Sequence, residues 1–120
     1  SDQLIKVEGS DTYTFPDLMV VCQKPVYEKS PQGIDALLNP EIIVEILSES
    51  TASYDRTEKF DCYRTLASFR EYVLVNSDKK RIEVHKKLNE AEWLSHFYTE
   101  YVKIDECEIL LENVYYAVEF

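Results

Sequence analysis

The chain has 120 residues, 45% of them hydrophobic, and its 23 acidic and 13 basic residues give a formal net charge of −10. This length suits one domain with a single core. The charge argues against a broad basic surface for nucleic acid or acidic membranes, but it allows a local basic groove or a site for divalent cations.

The first half of the chain predicts strands followed by one helix. Strands are expected at residues 3–8 and 18–22, and a short helical turn at 34–38 is ended by Pro40. The apolar run IIVEIL predicts a buried strand at 41–47. Asp55-Arg-Thr-Glu58 fits a capping box with Asp as the N-cap, so a helix is expected from about 56 to 67.

The second half predicts antiparallel strands. REYVLVN (70–76) is a strand, SDKK (77–80) a hairpin turn, and RIEVHKK (81–87) a half-exposed strand because apolar and polar residues alternate. One or two strands are expected within 93–104, and 106–115 fits either a closing helix or a last strand. This order predicts the α/β or α+β class with a mixed sheet. No apolar stretch reaches the roughly 18 residues of a membrane span.

Glu45 is a charge within a strand whose two faces are both apolar. Ile43 and Leu47 share its face, so turning the strand over does not bring Glu45 into water. Burying an unpaired carboxylate costs on the order of several kcal/mol. Asp17 is a second charge in an unexpected place, because it stands directly before the apolar strand at 18–22. Pro16-Asp17 also fits a simple turn.

Lys59 is a charge on the apolar side of the predicted helix. At about 100° per residue it falls between Tyr63 and Leu66, on the stripe that should pack against the sheet. A lysine in this place either extends past the edge of the sheet into solvent or pairs with a buried negative charge.

Two interpretations account for these three charges. In one, Glu45 and Lys59 form an inert buried ion pair and Asp17 caps a turn. In the other, Asp17 and Glu45 lie on neighbouring strands and bind a divalent cation, since two carboxylates, a backbone carbonyl and waters suit Mg²⁺. Lys59 would then position or deprotonate a water, or stabilise negative charge on a phosphate.

Four segments, FPDLMVVC, NPEIIVEILSEST, YDRTEKFDCY and FREYVLVN, together resemble the Uma-two family of bacterial endonucleases in the PD-(D/E)XK nuclease superfamily. The matching residues lie in order within 13–76: Pro16-Asp17, Pro40, Val44-Glu45, Ser48, Ser50-Thr51, Asp55-Arg56, Lys59, Tyr63 and Glu71-Tyr72. The resemblance implies a restriction-endonuclease-like mixed β-sheet core with a flanking helix and a C-terminal antiparallel hairpin region. It implies a single domain over 1–120 that lacks the family's N-terminal helix.

The resemblance also implies the roles of site residues. Asp17 and Glu45 would be metal ligands for Mg²⁺ or Mn²⁺, and Asp17, Glu45 and Lys59 would be the catalytic residues. The superfamily's usual lysine position holds Leu47 here, whereas in this family the lysine comes from the following helix, where Lys59 stands. Asp55 is expected as the helix cap, and Tyr63 as a core residue with its hydroxyl near the site.

The expected function is that of a metal-dependent endonuclease hydrolysing phosphodiester bonds of nucleic acid, with DNA preferred as the substrate. A homodimer is expected, and a channel for DNA could use the basic cluster Lys79, Lys80, Arg81, Lys86 and Lys87, although a solvated hairpin is the simpler interpretation. Three cysteines without a CxxC pair indicate reduced thiols and a cytoplasmic location. The alternatives are a non-catalytic homodimeric nuclease-fold domain with a structural or regulatory metal site, and a protein-interaction module with an inert ion pair.

Overall fold

The strands of the chain form three sheets in a computed structural model that describes residues 3–7 and 12–118. In chain order the elements are β1 (Leu4–Val7), β2 (Thr12–Thr14), β3 (Leu18–Val20), β4 (Tyr27–Lys29), β5 (Asp35–Leu37), β6 (Ile42–Leu47), α1 (Ala52–Arg56), α2 (Glu58–Tyr63), β7 (Glu71–Asn76), β8 (Ile82–Lys87), β9 (Trp93–Tyr98), β10 (Tyr101–Ile104), β11 (Cys107–Leu110) and α3 (Leu111–Val114). None of these described helices is long and apolar enough to cross a membrane.

The central sheet has five strands in the order β3-β6-β7-β8-β9. Strands β6 and β7 are parallel, with Ile42 opposite Glu71 and Leu47 opposite Asn76, and the other neighbours are antiparallel. A second sheet has the order β2-β1-β5-β4, and β10 pairs with β11. The predicted α+β class with a mixed sheet and C-terminal hairpins is therefore confirmed.

Both faces of the central sheet are covered, and each cover has its own core. On one face, Ile43 and Leu47 of β6 pack with Tyr63 of α2 and with β1. On the other face, the core includes Val102 of β10 and Leu111 of α3. Burial on two sides explains why the middle of β7 is a continuous apolar run and shows no alternation.

The predicted helix at 56–67 is two short helices, and Asp55 is not their N-cap. The Ala52 N–H donates to the carbonyl of Ser48 (2.9 Å), so helical bonding starts earlier than the sequence pattern indicates. The hydroxyl of Thr57 donates to the carbonyl of Ser53 (2.7 Å), and the backbone of Thr57 leaves helical geometry between α1 and α2. Such side-chain bonds compete with a continuous helix.

Other predictions were wrong in part. Residues 35–37 form β5, because this segment pairs with β1 and β4, and pairing overrides the weak helical preference. Strand β4 was missed because its side chains are all exposed. Residues 107–114 form both a strand and a helix. Strand β8 was expected to be half-exposed, but its first half is buried and Glu83 is only 5% exposed. In β6, where both faces were expected to be buried, Ile46 is 55% exposed. The end of the first predicted strand, residue 8, lies outside the described residues.

Candidate active site at the β3–β6 edge

Glu45 lies near the end of β6, on the face that α2 covers. Its side chain is 2% exposed and sits between those of Ile43 and Leu47, as the strand alternation predicts. Its Oε1 accepts the backbone N–H of Asp17 (3.1 Å), and its Oε2 accepts the ammonium of Lys59. Burial raises the pKa of Glu45, and Lys59 offsets only part of that rise.

Asp17 lies opposite Glu45, because Leu18 of β3 pairs with Val44 of β6 and Asp17 continues that register. The Oδ2 of Asp17 accepts the backbone N–H of Ile46 (2.7 Å), and the residue is exposed. Each acid is therefore bonded to the backbone of the other strand. The turn-capping interpretation of Asp17 does not describe these bonds, which join the start of β3 to the end of β6.

Lys59 projects from α2 and contacts Glu45 and Asp55. Its ammonium pairs with Glu45 and lies 3.5 Å from Oδ1 of Asp55, and its side chain is 17% exposed. Burial lowers the pKa of Lys59, but the carboxylates of Glu45 and Asp55 outweigh burial and the net pKa is raised. Lys59 therefore carries its positive charge at neutral pH.

Asp55 is the residue whose place sequence reasoning missed. It lies inside α1 and is 4% exposed, so its interpretation as a helix cap is wrong. Its carbonyl accepts the hydroxyl of Tyr72 from β7 (2.8 Å), which fixes this turn of α1 against the sheet. One signal could have identified it: Asp55 stands four residues before Lys59, the spacing at which helical side chains meet.

A cleft of about 330 Å³ opens beside these charges. The cleft is lined by Asp17, Glu45, Asp55 and Lys59, and by the exposed residue Ile46 near the end of β6. Its other walls carry the hydroxyls of Ser48 and Thr51, which lie 2.8 Å apart, and the half-exposed rings of Phe15 and Tyr54. The cleft thus combines acidic, cationic, hydroxyl and aromatic groups.

Tyr63 was expected in the core with its hydroxyl near the site. The residue is fully buried in the core beneath α2. Burial raises the pKa of Tyr63, and the negative charge of Glu45 adds to that rise, so its phenol remains neutral. Tyr63 is not among the residues that line the cleft.

A second ion pair with a buried acid lies on the same face of the sheet, and its cation, Arg56, is 40% exposed. Glu83 of β8 accepts two bonds from the guanidinium of Arg56, with Nη2 at 2.7 Å and Nε at 3.0 Å from Oε1. Glu83 is about as buried as Glu45, but neither Glu83 nor Arg56 lines the cleft. This pair provides an internal comparison for the Glu45–Lys59 pair.

The basic cluster predicted from the sequence divides into two pairs of lysines and Arg81, whose guanidinium lies over the ring of Phe97 at 4.9 Å from its centroid. Lys79 and Lys80, here called the basic turn, follow β7 at the edge where β6 also ends, because the N–H of Ser77 donates to the carbonyl of Leu47 (3.2 Å). The distal lysine pair, Lys86 and Lys87, lies at the other end of β8 and pairs with Glu71 and Glu90. Of the two lysine pairs, the basic turn is the one at the edge of the sheet that holds the cleft.

The donor set of the cleft fits a hard divalent cation of the Mg²⁺ type. No group of three or more His, Cys, Asp or Glu side chains in 3–7 and 12–118 has an arrangement that could hold a metal ion. Mg²⁺, however, keeps several waters and is usually bound by one or two carboxylates. The carboxylates of Asp17 and Glu45, which face each other across β3 and β6 and both line the cleft, meet that lower requirement.

A mixed α+β sheet with two acids and a lysine at the edge of its central strands is typical of the restriction-endonuclease-like class of nucleases. The family model Uma2, described as "Putative restriction endonuclease", matches residues 1–119. The chain therefore belongs to the Uma2 family, which confirms the resemblance carried by the sequence motifs.

Two relatives and one solved structure are similar to this chain. The "Uncharacterized protein sll1609" and "Uncharacterized protein slr1290" of Synechocystis sp. (strain ATCC 27184 / PCC 6803 / Kazusa) are 35% and 37% identical over 94 residues, or 78% of this chain. The match covers 52% and 47% of these relatives, so the chain spans about half the length of the curated relatives it matches.

The structural match is a crystal structure of a "putative nuclease belonging to DUF820" from Anabaena variabilis ATCC 29413. The two chains are 15% identical with a TM-score of 0.52, and the match covers 72% of this chain and 51% of the other. At this identity the likeness shows the fold alone.

Proposed function

We propose that this chain is a metal-dependent endonuclease domain that hydrolyses phosphodiester bonds of DNA with Mg²⁺ or Mn²⁺. The observation that carries the proposal is the pair of carboxylates, Asp17 and Glu45, held on neighbouring strands at an open cleft beside Lys59. The family description adds support, because restriction endonucleases act on DNA.

In this proposal Asp17 and Glu45 would hold the cation, and waters would be its remaining ligands. A divalent cation at such a site lowers the pKa of a bound water and neutralises negative charge on the phosphate. Lys59 would supply a positive charge in the cleft, where its ammonium stabilises charge that develops on the phosphate and donates a hydrogen bond to the attacking water. The hydroxyls of Ser48 and Thr51 donate hydrogen bonds to phosphate oxygens from the cleft wall.

The partners and location expected from the sequence are part of the same proposal. A homodimer would place two clefts on one duplex, and light scattering after size exclusion measures its mass. Cys22, Cys62 and Cys107 are free thiols in the structure, which supports a reducing, cytoplasmic location.

The test is a calorimetric Mn²⁺ titration of the chain and of three variants, followed by cleavage of plasmid DNA with Mg²⁺. Glu45→Gln and Asp17→Asn should each weaken Mn²⁺ binding by at least about tenfold, the scale of one lost charge-assisted ligand. Glu83→Gln is the matched control, since it removes an equally buried acid outside the cleft and should leave Mn²⁺ binding unchanged.

The outcomes separate the alternatives. Saturable binding with cleavage that chelation abolishes supports the endonuclease. Saturable binding without cleavage of any DNA tested favours the non-catalytic domain with a structural or regulatory metal site. If the parent chain binds no Mn²⁺, the metal site is wrong and Glu45 and Lys59 are an inert ion pair.

A further inference from the structure

We propose that Asp55 is a positioning residue that keeps Lys59 in the cleft when a divalent cation occupies Glu45. The inference rests on the proposed function in one respect, namely that Glu45 binds a metal ion. Its structural basis is that one ammonium lies between two buried carboxylates: Lys59 pairs with Oε2 of Glu45 and is 3.5 Å from Oδ1 of Asp55.

Lys59 and a bound cation compete for Glu45. The Oε1 of Glu45 already accepts the backbone N–H of Asp17, and Oε2 is the atom that Lys59 occupies. A cation bound to this carboxylate would lie beside the ammonium, and two positive charges on one carboxylate repel each other. Binding of the cation therefore requires that Lys59 transfer at least part of its pairing to another acceptor.

Asp55 is the second acceptor, and it is held in place before the transfer. Its backbone is bonded at both ends, since its N–H donates to the carbonyl of Thr51 (2.9 Å) and its carbonyl accepts the hydroxyl of Tyr72 (2.8 Å). Its buried carboxylate is one turn from Lys59 across the break between α1 and α2. An ammonium has three donors on a flexible stem, so Lys59 can move to Asp55 without leaving the cleft.

A double-mutant cycle with Mn²⁺ alone tests this arrangement, measured by calorimetry on the full chain at about pH 8, where carboxylates are ionised. Lys59→Met should tighten Mn²⁺ binding by about tenfold, because Glu45 is released from its competitor. Asp55→Asn should weaken it by about tenfold, because Lys59 then stays on Glu45. In the Lys59→Met background the same Asp55→Asn change should alter the Kd by less than about twofold.

Each other outcome overturns the inference in its own way. An equal loss in both backgrounds would mean that Asp55 acts on the cation directly, as a ligand or through its charge. An unchanged Kd for Asp55→Asn would leave Asp55 with a structural role only. If the parent binds no Mn²⁺, the proposed function fails as well, and that result is distinct from binding without coupling. Near-UV circular dichroism checks folding. Asp55→Ser replaces the Asn variant, and Lys59→Gln replaces the Met variant, if either does not fold.

Discussion

The two halves of the Glu45–Lys59 pair should not be equally costly to remove. Lys59→Met leaves two buried carboxylates, Glu45 and Asp55, without their shared cation. Glu45→Leu leaves Lys59 with Asp55, and the new leucine joins the apolar side chains of Ile43 and Leu47 on the same face. The structure therefore predicts an asymmetry in the free energy of unfolding.

The magnitudes follow from burial. Breaking a buried ion pair by removing one partner costs about 3–5 kcal/mol, and Lys59→Met should lie in or above that range. Glu45→Leu should cost clearly less than Lys59→Met, because the ammonium of Lys59 keeps Asp55 as a partner and is not left as an unpaired buried charge. Against a total stability of about 5–15 kcal/mol, this difference is large.

Urea unfolding followed by Trp93 fluorescence measures both variants. Trp93 is the only tryptophan of the chain and packs against the core beneath α2. The measurement is made at about pH 8 and repeated near pH 5. Because burial raises the pKa of Glu45, its stabilising protonated form is present at low pH and is lost as the pH rises through the folded pKa. The penalty of Lys59→Met should therefore shrink near the lower pH. Equal costs for the two variants, or a larger cost for Glu45→Leu, would refute the reasoning.

Three further predictions concern other parts of the molecule. Tyr72→Phe removes the hydrogen bond to the Asp55 carbonyl and should lower the free energy of unfolding by about 1 kcal/mol in urea titrations; no change would mean that this carbonyl finds another donor. Changing both lysines of the basic turn to glutamate should weaken DNA binding and reduce the salt slope by about two, measured by fluorescence anisotropy, whereas the same change in the distal lysine pair should not. Equal effects at both places would contradict the proposed path of the DNA. Burial alone would raise the pKa of Glu41, but hydrogen bonds from two backbone N–H groups and from Arg70 outweigh burial, and the net pKa is lowered. The ionised Glu41 therefore stabilises the fold, and this stability is lost as the pH falls below about 4.5. Glu41→Gln should flatten the fall of Tm with acidification, and an unchanged slope would show that Glu41 does not contribute.

The sequence predicts the central sheet well because its strands carry strong local signals. The apolar runs of β6 and β7 are long and match the observed bounds within a residue or two. The weak elements are those whose form depends on partners distant in sequence. Strands β4 and β5 are three residues each. They form because β5 pairs with β1 on one side and with β4 on the other. No local pattern contains that information.

The sequence identified the charged residues Glu45 and Lys59 of the candidate site, but it did not predict that Asp55 pairs with Lys59 or that Arg56 pairs with Glu83. Glu45 and Lys59 stood out because each lies where an apolar residue is expected, and the structure brings them together. Asp55 was misread because DRTE fits a capping box, whereas the real start of α1 depends on the carbonyl of Ser48. The half-exposed pattern of β8 likewise concealed Glu83, whose burial depends on Arg56 from a helix elsewhere in the chain.

The comparison of Glu45 with Glu83 argues that burial alone does not mark a functional acid. Both carboxylates lie on the same face of the central sheet, and each pairs with a cation from α1 or α2. Glu83 is bound by the two-pronged guanidinium of Arg56 away from the cleft, an arrangement that arginine geometry makes strong and specific. Glu45 instead pairs with a lysine that has a second acceptor, faces Asp17 across the strand pair, and borders open space. These differences are the reason for assigning the proposed chemistry to the Glu45 pair and not to the Glu83 pair.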